Sequence, residues 1–213
     1  MNESLFMGKV TAAMTHEIKN VLAIIRESAG LAQDLLAMAG DSGFAHKEKF
    51  LRVMDKIDKQ VERGAEIVTR LNTFAHVPDH EIRREDLSSV LDEMLILSHK
   101  LSRLSGVNFT VGKGSTSVVL EADPMKTRMT IYRLLEFLTP LVGKGSEIQL
   151  KAMKNSHGLP SLGLIIKTAS LENFCIDGIL ADPEWNSLEM EFGSENAAIE
   201  PSPERDSFVI HFV

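Results

Sequence analysis

The amino-acid sequence predicts an α+β fold: a helical hairpin that forms a dimeric four-helix bundle, followed by an α/β sandwich. Two observations carry this prediction. Residues 7–75 hold two heptad-like apolar patterns, separated by a glycine-containing break at residues 39–43. Beyond residue 84, short β-prone runs are grouped with further helical patterns, which is typical of helices packed on a sheet. We therefore expect two domains, the hairpin over residues 1–78 and the sandwich over residues 84–213.

The first helical pattern begins near Met7 and places its apolar residues alternately three and four positions apart. One row at seven-residue spacing runs through Met14 and Val21 and reaches Leu35. A second row begins at Ile18. Two such rows form the stripe that a helix buries in a bundle.

The second helical pattern has two apolar rows at the same spacing. These rows are Phe50, Ile57, Gly64 and Leu71, and Met54, Val61, Val68 and Ala75. The small Gly64 permits close approach of a neighbouring helix. Two helices joined by a short loop make an antiparallel hairpin, which by itself buries too little surface to be stable. We expect a second copy of the chain to supply the other two helices, so that the protein is a homodimer.

The second domain is predicted to contain helices and strands in mixed order. A helical stretch covers residues 87–104, and a helix over residues 124–138 begins with a proline that suits its first turn. The predicted strands are residues 107–111, 118–120, 148–152, 162–168, 197–199 and 208–213. One or two short helices are expected within residues 170–192.

A Val-Gly-Lys-Gly-Ser sequence occurs at residues 111–115 and again at residues 142–146. It resembles half of a phosphate-binding loop, but such a loop needs an outer glycine and a Ser or Thr directly after the lysine. Val107 and Leu138 hold the outer positions, and glycine follows each lysine. We therefore interpret both copies as turns.

Composition and charge exclude several classes of protein. The net charge of -7, with no basic arm, argues against binding to nucleic acid. No stretch approaches the roughly 18 apolar residues that span a membrane, and charged residues interrupt any signal peptide. Cys175 has no partner for an internal disulfide, and we interpret it as a buried small hydrophobe. The sequence predicts a cytoplasmic protein.

One polar cluster lies off the apolar stripe of the first helix. His16 and Asn20 are four residues apart and therefore share one exposed helix face, and Glu17 follows the histidine directly. A solvated imidazole beside a carboxylate can serve as a base, a metal ligand or a nucleophile. By itself, a single exposed histidine is more often an inert surface residue.

The order of these residues distinguishes among those alternatives. His16-Glu17-Ile18-Lys19-Asn20 resembles the phosphoacceptor box of sensor histidine kinases, in which an acidic residue follows the histidine and Asn or Thr lies four positions on. The resemblance implies that His16 is a phosphoacceptor on the first helix of a dimerising hairpin. It implies further that Glu17 orients the imidazole or takes its proton, and that Asn20 contacts the phosphoryl group or positions water.

The second domain resembles the ATP-binding domain of the same kinases in the segments EDLSSVLDEML and LEADPMKTRMTIYRLLEFL. In that family the second segment forms a nucleotide-binding helix with asparagines near its end. Glu136 and Pro140 stand at the matching positions, and Pro140 offers no side-chain ligand for a cation. The Asp-x-Gly motif that reads adenine and the glycine-rich lid over the phosphates are both missing. We therefore expect a degenerate histidine-kinase-ATPase-like α/β sandwich that does not bind ATP.

Together these features predict a histidine phosphotransferase of a bacterial two-component phosphorelay. His16 would carry phosphoryl groups between the aspartates of response-regulator receivers. Lys19 and Arg26 would attract the acidic pocket of the receiver toward His16. This chain would need no cofactor, because the receiver supplies the magnesium ion. Two alternatives stay open, namely a non-catalytic adaptor that docks receivers or kinases, and an active ATP-dependent histidine kinase.

Overall fold

Two long helices, α1 (Glu3–Ala37) and α2 (Lys47–Ala75), begin the chain in a computed structural model. The structure describes residues 2–38, 46–77, 82–112, 117–155, 157–167, 178–179, 181–194, 197–201 and 207–212. Cys175 lies outside these residues. The contacts divide the chain into two units, one comprising Gly8–His76 and the other comprising Met1–Met7 with Val77–Val213. None of the described helices is both long and apolar enough to cross a membrane.

The two helices pack as the antiparallel hairpin that the sequence predicted. Ala32 and Leu35 of α1 are buried against Val53 of α2. Gly64 lies where the helices approach closely: a Cβ atom at this position would be 3.1 Å from Cγ1 of Val21. The interpretation of Gly64 as a residue that permits close approach is therefore confirmed.

The apolar rows of α2 are used differently from what the pattern predicted. The fully buried row consists of Val53, Ile67 and Phe74. Each of these residues comes directly before a member of a predicted row. That predicted row, which includes Met54, Val61 and Val68, is exposed. Successive residues on a helix are about 100° apart, so packing one helix on one neighbour leaves the adjacent row uncovered.

The second unit contains seven strands and four helices among its described residues. In chain order they are β1 (Arg83–Asp86), α3 (Leu87–Leu97), α4 (His99–Ser105), β2 (Asn108–Val111), β3 (Val119–Ala122), α5 (Pro124–Val142), β4 (Glu147–Lys154), β5 (Pro160–Lys167), α6 (Pro183–Ser194), β6 (Ala197–Pro201) and β7 (Ser207–Phe212). The short strand β1 was not predicted, because its sequence RRED lacks apolar alternation; it forms by pairing with β3. The predicted helix over residues 87–104 is two helices that meet at Ser98.

A five-stranded sheet in the order β2-β4-β5-β7-β6 forms one layer of this unit. The β2–β4 pair is parallel and the other three pairs are antiparallel. Ile148, Leu150, Leu162 and Leu164 are fully buried on one face of the sheet. Helix α3 contacts β2 and β4, and α5 contacts α3 and α4. The predicted α+β class, with a helical hairpin followed by an α/β sandwich, is confirmed.

A buried ion-pair cluster joins α5 to α3 and β1. Arg128 Nη1 donates to Glu85 at 2.9 Å, and Arg128 Nη2 donates to Glu93 at 2.7 Å. Burial alone would lower the pKa of Arg128, but its hydrogen bonds to the two carboxylates outweigh burial and raise that pKa above its ordinary value. Because breaking a buried pair leaves an uncompensated charge, this cluster fixes α5 against its neighbours.

The second Val-Gly-Lys-Gly-Ser copy is a turn between α5 and β4, as predicted. Gly143 and Gly145 have φ angles of 77° and 88°, in the region that favours glycine. Residues 113–116 of the first copy lie outside the described residues.

Candidate functional site

His16 lies on the solvent-exposed side of α1, whose helical run extends for several turns on either side of it. The spacing of four residues places Asn20 one turn further on, where it is half-buried. The amide nitrogen Nδ2 of Asn20 lies 3.2 Å from Nδ1 of His16. The structure therefore brings together two of the three residues that the sequence predicted as catalytic.

This contact links the Asn20 amide to the protonation of the imidazole ring. A neutral imidazole carries one proton, so one ring nitrogen donates and the other accepts. When the amide N–H donates to Nδ1, the ring proton resides on Nε2. A half-turn of the amide places Oδ1 against Nδ1, which must then carry the proton, and the lone pair is on Nε2. In the second arrangement Nε2 is a nucleophile.

Glu17, the third predicted catalytic residue, forms an ion pair with Arg63 of α2. The carboxylate oxygen Oε1 accepts a hydrogen bond from Nη2 of Arg63. The Glu17 side chain is 17% exposed, and that of Arg63 is 45% exposed. Because the bond joins the two helices of the hairpin, it fixes the carboxylate that follows His16 in the chain.

Arg63 was not identified from the sequence. A heptad pattern shows which faces of two helices meet, but the register between them depends on the connecting loop. One signal was present: Arg63 precedes Gly64, the small residue that was expected at a close approach. With Gly64 against Val21, Arg63 is placed near the turn of α1 that contains Glu17.

Lys19 and Arg26, the predicted partner-binding residues, are both exposed on α1. Arg26 lines a groove of about 630 Å³ on the hairpin. Residues that line this groove include Ala23, Arg26, Gly30, Leu31, Asp34 and Lys56. The residues of α1 that line the groove are C-terminal to His16, and the lining includes cationic, anionic and apolar side chains.

The second unit places Glu136 beside a pocket of about 490 Å³ between α5 and α6. Glu184 and Arg133 also line this pocket, so its charged lining carries two carboxylates and one guanidinium. Trp185 of α6 is fully buried, and its ring lies 6.0 Å from that of Phe137 on α5. Pro140 is exposed within the last turn of α5.

No family model and no curated protein matches the chain. Among solved structures, the Acinetobacter baumannii histidine kinase AdeS is 14% identical with a TM-score of 0.45, and the match covers 92% of this chain and 96% of that one. A bacterial phosphotransferase is 11% identical with a TM-score of 0.46, covering 99% and 97%. The histidine kinase ThkA in complex with the response regulator protein TrrA is 14% identical with a TM-score of 0.46, covering 97% and 60%.

Proposed function

We propose that this protein is a histidine phosphotransferase of a two-component phosphorelay, which carries phosphoryl groups between response-regulator receivers through His16. One observation carries the proposal: the exposed imidazole contacts Asn20 through Nδ1. Among the described residues, the structure gives Nε2 no hydrogen-bond partner. Nε2 is therefore the ring nitrogen available to an aspartyl phosphate that approaches from solvent.

The reaction uses the second amide arrangement, in which Oδ1 of Asn20 faces Nδ1 of His16. With Asn20 Oδ1 accepting the Nδ1 proton, the Nε2 lone pair attacks the phosphorus in line. The Nε2–P bond forms as the aspartyl O–P bond breaks, and its electron pair leaves with the carboxylate of the receiver. The ring keeps its Nδ1 proton and becomes a cation that Asn20 Oδ1 stabilises. Transfer to a second receiver reverses these steps.

The receiver is proposed to supply the magnesium ion, so this chain needs no cofactor of its own. Lys19 is exposed one turn from His16 on the same helix, and Arg26 lies further along α1. Both side chains carry positive charge toward a receiver pocket that is acidic. Such charges increase the association rate of oppositely charged partners and act less strongly at high salt.

The second unit is proposed to be a non-catalytic domain that does not bind ATP. A triphosphate needs cations and backbone donors, whereas the charged lining of the α5–α6 pocket has a net charge of about -1. Trp185 packs on Phe137 of α5, in the turn that also contains Glu136. The helix α6 therefore occupies space beside the residues at which the resemblance would place the nucleotide.

A homodimer is the third part of the proposal. Leu22 and Leu36 of α1 are more than half exposed, as are Val61 and Val68 of α2, and Met54 is 43% exposed. On each helix this exposed row lies one residue C-terminal to the buried row. Because the helices are antiparallel, rotation in the same sense brings both exposed rows to one side of the hairpin. An apolar face at heptad spacing on both helices fits a second copy of itself.

The function is tested by phosphoryl labelling of the purified protein, first with labelled ATP and then with a receiver that has been phosphorylated in advance. We expect label from the receiver and none from ATP. His16→Ala should abolish labelling while leaving the helical content unchanged, because the side chain is exposed. His157→Ala, which removes another exposed histidine, is the matched control and should be labelled as the wild type is.

Other outcomes would contradict the proposal. Label from ATP alone would identify an active kinase with unusual nucleotide contacts. Label on the His16→Ala variant would exclude His16 as the acceptor. An unlabelled wild type, across several receivers, would favour an adaptor that docks receivers or kinases without reacting.

A further inference from the structure

The ion pair between Arg63 and Glu17 involves the turn of α1 that contains the proposed acceptor. Glu17 is the neighbour of His16 in the chain, and its carboxylate is held by a residue of the other helix. The nearby cations of α2 behave differently. Lys59 pairs with Asp55 at 2.7 Å and Arg70 approaches Glu66 at 3.8 Å, each along its own helix.

The sequence around Arg63 accounts for this difference. Lys59 and Arg70 each have an acidic residue four positions before them, the spacing at which ion pairs form along a helix. The corresponding position before Arg63 holds Lys59, which is itself a cation. Arg63 therefore finds its anion across the hairpin, on α1.

A carboxylate at this place matters for phosphoryl transfer. A phosphoryl group brings close to two negative charges, and the receiver pocket that delivers it is acidic. An uncompensated Glu17 would repel both, because like charges separated by a few ångströms in a partly solvated site repel appreciably. A guanidinium bonded to that carboxylate cancels the repulsion and leaves further N–H donors at a half-exposed position.

We propose that Arg63 is a positioning residue of the acceptor site, which holds the Glu17 carboxylate and neutralises it where the phosphoryl group arrives. This inference rests on the proposed function of His16. Arg63 is proposed to act through Glu17 and to form no bond to the transferred phosphoryl group.

The test is the rate of labelling from a phosphorylated receiver in four proteins: wild type, Arg63→Ala, Glu17→Gln and the double variant. We expect Arg63→Ala to slow labelling about tenfold, because it removes the positive charge that is bonded to the Glu17 carboxylate. In the Glu17→Gln background the same change should have little effect, since the charge is already gone. The Arg63→Ala defect should also shrink as the salt concentration rises.

Two controls separate electrostatics from folding. Arg63→Lys keeps the charge and should label at close to the wild-type rate. Thermal unfolding of each variant shows whether the hairpin is intact, and a structural defect would be rescued neither by Glu17→Gln nor by salt.

The outcomes are distinguishable. An Arg63→Ala rate equal to that of the wild type, or an equal loss in both Glu17 backgrounds, would overturn the role of Arg63 while leaving His16 as the acceptor. A wild type that takes no label from any receiver would refute the proposed function, and this inference with it.

Discussion

The proton on His16 decides whether the proposed acceptor can react. Nε2 is a nucleophile when Nδ1 carries the proton, and among the described residues the hydrogen-bond contact of this ring is between Nδ1 and the side-chain amide of Asn20. The oxygen of a carboxamide can accept a hydrogen bond from the protonated Nδ1 and so stabilise that tautomer without becoming charged. The structure thus assigns Asn20 a contact with the imidazole itself, in addition to the contact with the phosphoryl group that the sequence predicted.

We predict that Asn20→Ala slows labelling from a phosphorylated receiver about tenfold, the effect of losing one hydrogen bond of about 1 kcal/mol or slightly more. The ¹⁵N chemical shifts of the His16 ring should show a smaller population of the tautomer protonated at Nδ1. Thr15→Ala is the matched control, because the Thr15 hydroxyl bonds the Thr11 carbonyl at 2.6 Å on the same helix. Unchanged shifts and an unchanged rate in Asn20→Ala would exclude this role.

The residues of the candidate site differ in how far the sequence predicted them. His16 and Asn20 could be paired from the sequence, because residues four apart on a helix are always neighbours. The pairing of Glu17 with Arg63 could not be predicted. These residues are 46 positions apart in the chain, and their contact depends on the register between the two helices.

At the scale of elements, the start of α3 shows how one carboxylate serves several neighbours. Asp86 ends β1 and caps α3, where its side chain accepts a hydrogen bond from the Ser89 N–H. A hydrogen bond from the Ser117 hydroxyl is the largest cause that lowers the pKa of Asp86 below 3.8, and backbone N–H groups of α3 add to it. Asp86 therefore stabilises the folded state as an anion.

We predict a pH dependence that follows from this direction. A pKa that is lower in the folded state stabilises the protein above pH 3.8, and this stabilisation is lost as the pH falls through the folded-state value. Asp86→Asn keeps a capping side chain but cannot ionise. The difference in unfolding free energy between wild type and Asp86→Asn should be largest near neutral pH and should shrink in acid.

Denaturant unfolding at several pH values measures this difference. Asp86→Ala, which removes the cap as well, should lower the unfolding free energy by about 1 kcal/mol at neutral pH. A wild-type-to-Asn difference that stays constant from neutral pH to below pH 3.8 would contradict the ionised role of Asp86.

The elements themselves were largely predictable. Amphipathic periodicity located both hairpin helices, and Pro124 correctly marked the start of α5, which Asp123 caps. Strand β1 was missed because a charged strand at a sheet edge has no apolar alternation and exists through its partner. The break at Ser98 also left no signal in the pattern, because apolar residues continue on both sides of it.

At the scale of the whole molecule, the exposed apolar rows of the hairpin predict its oligomeric state. We expect the protein to be a dimer in analytical ultracentrifugation. Val61→Glu should shift it to a monomer, because Val61 is 51% exposed in the apolar face and a carboxylate there would be buried without a partner. Thr69→Glu is the control, since it places the same charge about 100° further round α2.

A Val61→Glu variant that remains a dimer would exclude this face as the interface. A wild type that sediments as a monomer across the micromolar range would contradict the homodimer directly. If the Val61→Glu monomer still takes label from a receiver, phosphoryl acceptance does not require the dimer.

The sequence by itself determined the fold class, the location of the two hairpin helices and the proximity of His16 to Asn20. These features depend on local periodicity and on spacing within one helix, which backbone geometry converts directly into position. Tertiary structure alone decided which apolar row of α2 is buried, that β1 pairs with β3, and that Arg63 meets Glu17. Those outcomes depend on register between distant segments, and register is set by the packing of side chains against one another.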